Sequence, residues 1–370
     1  MRGTLLLAYA SLLVLALADN ARMPLFPSIL RDLELGDGVG SLLFSCGSAG
    51  QIAGSLLGGR VIAGRDARGL LAAALLLVAL GTALVAGARE VPFLLLGSAV
   101  YGLGAGGVVL AQNLMVERAC GPAVRRRAFA GLHAMYALSS LLAPILVAGL
   151  RARGWEWRPS LLLVALPALL LMLATPLARA QAAPSLAGRP APRSPLRPRL
   201  LVGGMVALYV FAEVALSSRL PLLFERMGRT PDEGAWALAA FFACLLLGRT
   251  LAALVAIPLS NRRLLLGSLL VALGLYVPGL LLQPWLLPLV ALPLAPFFPV
   301  SMDLVAEELR DDVPGALATL MALVSIALVV GQFLLGALSD RVDLRVALLL
   351  GPAALTGAVA LALASRPRAG

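Results

Sequence analysis

The chain has 370 residues, 60% of them hydrophobic and only 13% charged, with a mean hydropathy of +0.94. A soluble domain of this length has too little interior to hide so much apolar surface, so the composition requires a bilayer as its apolar solvent. The formal charge of +11 is carried by arginine alone, because the sequence contains no lysine. These arginines fall in short breaks between apolar runs, and no basic domain is large enough to follow a phosphate backbone, which excludes a nucleic-acid binder.

Crossing about 30 Å of hydrocarbon takes on the order of 20 apolar residues as a helix. In chain order the sequence predicts about twelve such spans, over residues 3–28, 39–59, 69–88, 92–116, 127–149, 160–178, 198–221, 233–258, 263–283, 285–306, 314–336 and 344–364. The runs are continuous rather than alternating, which excludes an outer-membrane barrel. The first run includes Ala16-Leu17-Ala18, a possible secretory cleavage site. It has a partner in the second half of the chain and is therefore read as a transmembrane helix.

Span one carries Asp19, Asn20 and Arg22 ahead of Pro24 and Pro27, which are expected to interrupt it. Span two holds Cys46, Gln51 and a series of glycines from Gly47 to Gly59; span four holds Gly102 to Gly107, Asn113 and Glu117. Such glycines let membrane helices approach closely. Gly102-x-Gly104 lacks the strand–turn–helix context of a nucleotide fingerprint. Span five contributes His133 and Tyr136, span seven Glu213 and span eight Arg249. Glu213, between Phe211-Ala212 and Val214-Ala215, has no local partner in sequence. The three cysteines make no disulfide framework and no metal spacing.

A proline- and arginine-rich stretch over residues 180–197 reads as a flexible cytoplasmic linker. It separates an N-terminal six-helix bundle, 1–179, from a C-terminal one, 198–370. The two are related: Arg22-Met23-Pro24-Leu25-Phe26 returns as Arg219-Leu220-Pro221-Leu222-Leu223, and Phe44 returns as Phe241 at the same offset. The fold class expected is thus an all-α membrane protein of two six-helix bundles in a parallel pseudo-two-fold repeat. The loops place about eighteen arginines on one side and about eleven on the other. By the positive-inside rule both termini are cytoplasmic, in the inner membrane of a bacterium.

Gly331 and Gly336-Ala337-Leu338-Ser339-Asp340-Arg341 after span eleven are similar to the G-x-L-x-D-R signature of the major facilitator superfamily. The copy between spans two and three, Gly58 to Arg68, is worn: Ala63 stands where the acid belongs and Asp66 lies three residues on. The loop Pro258-Leu259-Ser260-Asn261-Arg262-Arg263 also lacks the acid. Within the superfamily the chain resembles the fucose permease-like sugar:proton symporters. The runs that carry this are Tyr209 to Leu216, Gly248-Arg249, Asn113 with Val116 and Glu117, Leu132-His133 with Pro144, and Pro296-Phe297-Phe298-Pro299. The resemblance implies alternating access with a central site, a span-one aspartate serving sugar and coupling, and hexose-like polar substrates.

An ionisable group at bilayer depth is costly, so it marks a functional site by default. A carboxylate there can take up and release a proton, as coupling to a proton gradient requires. Asp19, Asn20, Arg22, Gln51, Asn113, His133, Tyr136, Glu213 and Arg249 are the candidate substrate and proton-coupling residues. Each has a plainer role: Asp19 paired with Arg22 at the rim, Arg249 snorkelling to the interface, His133 packing, the amides joining helices. Glu117, Arg126, Asp303, Arg310, Asp340 and Arg341 are candidate gating residues. The expected protein is a monomeric, proton-coupled symporter of a small polar solute, without a cofactor and with H+ as coupling ion. A drug or metabolite:proton antiporter of the same fold is the alternative. No catalytic pair or metal cluster points to an enzyme.

Overall fold

The structure, a computed structural model, describes residues 2–62, 66–177, 195–254, 258–309 and 313–364. Regular structure among these residues is helical throughout. The chain divides into two compact units, Met1–Gly188 and Arg189–Gly370. Among the described residues, eleven segments are long and apolar enough to cross a membrane.

The first unit contains α1 (Arg2–Asp32), α2 (Asp37–Val61), α3 (Ala67–Gly87), α4 (Val91–Ala119), α5 (Pro122–Arg151) and α6 (Trp157–Ala174). α1 packs chiefly on α5 and also on α4 and α6, while α4 is held between α2 and α3. α2 is not among the eleven, because glycine and serine dilute its hydropathy. Contact with α4 compensates. A Cβ at Gly50 would stand 2.5 Å from the Ala99 carbonyl oxygen, and one at Gly54 or Gly106 would overlap the facing helix backbone. Here the two backbones touch, and dispersion between them replaces side-chain packing. Asp66 has a local task that accounts for its displacement: it caps α3, accepting from the Arg68 backbone N–H at 3.1 Å and from its Nε at 2.6 Å.

The expected interruption at Pro24 and Pro27 does not occur, and α1 runs unbroken through both. A membrane helix tolerates missing N–H donors when neighbouring helices enclose it. Arg151 of α5 donates to the Pro24 carbonyl at 3.1 Å.

The second unit contains α7 (Leu196–Arg226), α8 (Pro231–Leu254), α9 (Asn261–Leu281), α10 (Ala291–Leu294), α11 (Phe297–Glu308), α12 (Val313–Ser339), α13 (Leu344–Ala347) and α14 (Leu350–Ala364). α7 packs on α12 and α14 as α1 packs on α5 and α6, the correspondence a parallel repeat demands. Span ten is discontinuous: single 3-10 turns at Pro284–Leu286 and Pro288–Val290 lead into α10, and α11 begins after Pro296. Of the expected linker, residues 180–194 lie outside the described residues and its last two open α7.

Candidate functional site

In the first unit the helical repeat sets Asp19 and Arg22 on one face of α1, one turn apart. They form an ion pair through Asp19 Oδ1 and Arg22 Nη2. The Tyr101 hydroxyl of α4 donates to the same Oδ1 at 3.2 Å. The guanidinium of Arg22 lies 4.0 Å from the Tyr101 ring centroid, a cation–π contact away from water. Arg22 is only 4% exposed, and its Nε and Nη1 find no hydrogen-bond acceptor among the described residues. Asp19 itself is half-buried. Tyr136 of α5 is within electrostatic reach of Arg22. Asn20 donates to the Ala16 carbonyl of its own helix at 2.8 Å and to Ser140 Oγ of α5 at 3.0 Å, and its own Oδ1 accepts from none of the described residues.

In the second unit Glu213 does have a local partner. Tyr209 lies four residues earlier on the same helix face, and its hydroxyl donates to Glu213 Oε2. The intervening apolar residues point elsewhere, which is why flanking sequence alone suggested isolation. Tyr209 is buried and stacks on Phe297 with ring centroids 4.3 Å apart. Arg249 of α8, half-buried, lies within electrostatic reach of both Tyr209 and Glu213. Each unit therefore holds a half-buried carboxylate that accepts from a tyrosine and has an arginine nearby.

Arg219 is a residue that hydropathy reasoning passed over. It is the repeat partner of Arg22, fully buried at 0% exposure, and donates to Ser218 Oγ at 3.3 Å; Gln332 of α12 donates to the same oxygen at 3.3 Å. The repeat was the available signal, since a position occupied by a buried arginine in one half invites the same in the other.

The remaining candidates scatter. The Gln51 side chain is exposed, and Asn113 donates to Val109 in its own helix at 2.8 Å. His133 is exposed on α5 and Tyr136 half-buried one turn on. Glu117 and Asp303 are exposed, while the Arg126 side chain and Arg310 lie outside the described residues. Asp340 and Arg341 are exposed at the turn after α12. An ion pair that sequence reasoning did not name joins α9 to α11: Arg262 Nη2 and Glu308 Oε1 at 2.7 Å, with Arg262 Nη1 donating to the Ala362 carbonyl of α14 at 3.1 Å.

Residues 8–320 match the family model of the Major Facilitator Superfamily. The chain belongs to this superfamily. It is a multi-pass membrane transporter and not an enzyme. No curated protein matches the sequence. A bacterial homologue of the human lysosomal transporter Spinster, inward-facing and occupied, superposes with TM-score 0.80 at 16% identity, covering 98% of this chain and 96% of that one. A D-xylose–proton symporter superposes with TM-score 0.77 at 15% identity, covering 98% and 97%. The superfamily transporter FucP, outward-facing, superposes with TM-score 0.66 at 16% identity, covering 98% of each chain. At these identities the likeness is one of fold, and the residue pattern must carry the chemistry.

Proposed function

We propose that this superfamily member is a proton-coupled symporter of a small, polar, sugar-like solute. It works as a monomer by alternating access in a bacterial inner membrane, with both termini cytoplasmic and no cofactor. The observation that carries this is the pair of carboxylate–tyrosine couples at membrane depth, Asp19 with Tyr101 and Glu213 with Tyr209, each beside an arginine. A carboxylate at that depth is costly unless it exchanges a proton or holds a ligand. Arginine forks, phenol hydroxyls and amides are the donors and acceptors that solute hydroxyls require. Aromatic residues make up only 5% of the chain, little for a large apolar drug pocket. The shared fold of FucP and the D-xylose–proton symporter supports the solute class.

The test uses purified protein in liposomes containing a pH-sensitive dye, with monosaccharides, organic acids and cationic drugs added outside. Acidification of the lumen by monosaccharides is expected. Alkalinisation by cationic drugs would replace symport with antiport, and acidification by organic acids alone would replace the sugar-like class.

A further inference from the structure

The two carboxylates at membrane depth have different surroundings, and the difference divides their labour. Asp19 is in direct contact with Arg22, and Tyr101 serves both partners at once. Protonating Asp19 would strip a guanidinium that is 4% exposed of the carboxylate that balances it, while two of its N–H groups already lack acceptors. Leaving a charge buried and unpaired is among the most costly changes a folded protein can undergo. Glu213 carries no such obligation. Its direct partner is the Tyr209 hydroxyl, which can donate to a carboxylate or to the carbonyl oxygen of a protonated acid. Arg249 is half-buried, so its long side chain keeps access to polar surroundings when the carboxylate is neutralised.

The other groups facing Glu213 do not alter this balance. α12 and α14 pack along α7 and contain no titratable residue. α11 brings Asp303, which is exposed, Glu307, which accepts from Asn261, and Glu308, which is paired with Arg262. α8 adds Cys244 and Arg249 within its membrane stretch and Asp232 and Glu233 at its far end.

We propose that the exchangeable proton of this transporter sits on Glu213, with Tyr209 as its positioning residue, while Asp19 stays ionised in a standing pair with Arg22. The inference rests on the proton-coupled reading above. A proton from the aqueous side adds to Glu213 Oε and leaves a neutral acid still hydrogen-bonded to Tyr209. A hydrogen bond to an ionised group is about twice as strong as a neutral one, so the Tyr209 contact loosens on protonation. Tyr209 in turn stacks on Phe297, the first residue of α11 beyond the break at Pro296. The protonation state thereby reaches the discontinuity of span ten through one aromatic contact.

Infrared difference spectra of the full-length protein in lipid, recorded between acid and alkaline pH without solute, test this directly. Wild type and the double variant Asp19→Asn with Arg22→Gln, which removes the pair without leaving a buried charge unbalanced, should show a protonated-carboxyl band that Glu213→Gln lacks and Glu213→Asp displaces. Tyr209→Phe should keep the band and move its midpoint by at least one pH unit. Loss of the band in the folded double variant, or its survival in Glu213→Gln, would overturn the proposal, and so would a wild type without the band. An unmoved midpoint in Tyr209→Phe would remove the positioning role. The measurement needs no substrate, so a band lost only in Glu213→Gln, beside proteoliposomes that move no protons, would sink symport and leave the proton site standing.

Discussion

Span four and span ten hold corresponding places in the two repeats and solve the same packing problem in opposite ways. α4 is one continuous helix of 29 residues whose glycines admit the backbones of α2 and α3. Span ten is cut by prolines into 3-10 turns, a four-residue helix and α11. The first is rigid because backbone meets backbone and no rotamer can yield. The second keeps polar backbone atoms at its break, which membranes tolerate only where protein or a cavity encloses them. Corresponding spans thus form a strut in one half and a joint in the other.

The strut should break first. Gly106→Val sets side-chain atoms on the α2 backbone at Gln51. Overpacking of this kind costs at least 1–3 kcal/mol by order of magnitude, and the variant is expected to lose its monodisperse peak in size-exclusion chromatography. Gly59→Val, where a side chain meets open space, should behave as wild type. Equal behaviour of the two would mean that the α2–α4 contact is not close. Next, Pro296→Ala with Pro299→Ala should heal the joint. Transport is expected to fall about tenfold while the midpoint of thermal unfolding holds or rises, because both positions regain a backbone N–H that a continuous helix can use. Undiminished transport would show that the break is packing alone.

A smaller effect lies at the end of the joint. Arg262 and Glu308 are largely shielded, with side chains 17% and 22% exposed, and tie α9 to α11. A double-mutant cycle with Arg262→Gln and Glu308→Gln should return a coupling of about 1 kcal/mol, at the top of the range for exposed pairs. The Asp66–Arg68 pair of the first unit spans two residues at the start of one helix and should couple by less. Equal couplings would erase this difference between the halves.

Much of the architecture was legible because hydropathy is local. Twelve apolar runs, the arginine-filled breaks and the return of Arg22-Met23-Pro24 at Arg219-Leu220-Pro221 are properties of neighbouring residues. The site was legible in part. Asp19, Arg22, Glu213 and Arg249 stand out as charges in apolar surroundings, whatever they touch. Their partners on other helices do not, and Tyr101 is 82 residues from Asp19; the same distance hid the Arg262–Glu308 pair, 46 residues apart. Arg219 was visible in sequence only as the repeat partner of Arg22 near the end of span seven, and α7 carries it to full burial.

What the sequence determined by itself is the solvent, the number of apolar spans to within one and the twofold plan, since each follows from the free energy of moving side chains between water and hydrocarbon. Tertiary structure alone decided that α1 passes its prolines unbroken, that Tyr101 of α4 joins the Asp19–Arg22 pair while Tyr209 stacks on Phe297 of α11, and that span four is a strut. Those outcomes depend on which helix faces meet. Within a bilayer apolar faces are nearly interchangeable, and glycines, hydrogen bonds and buried charges choose between them.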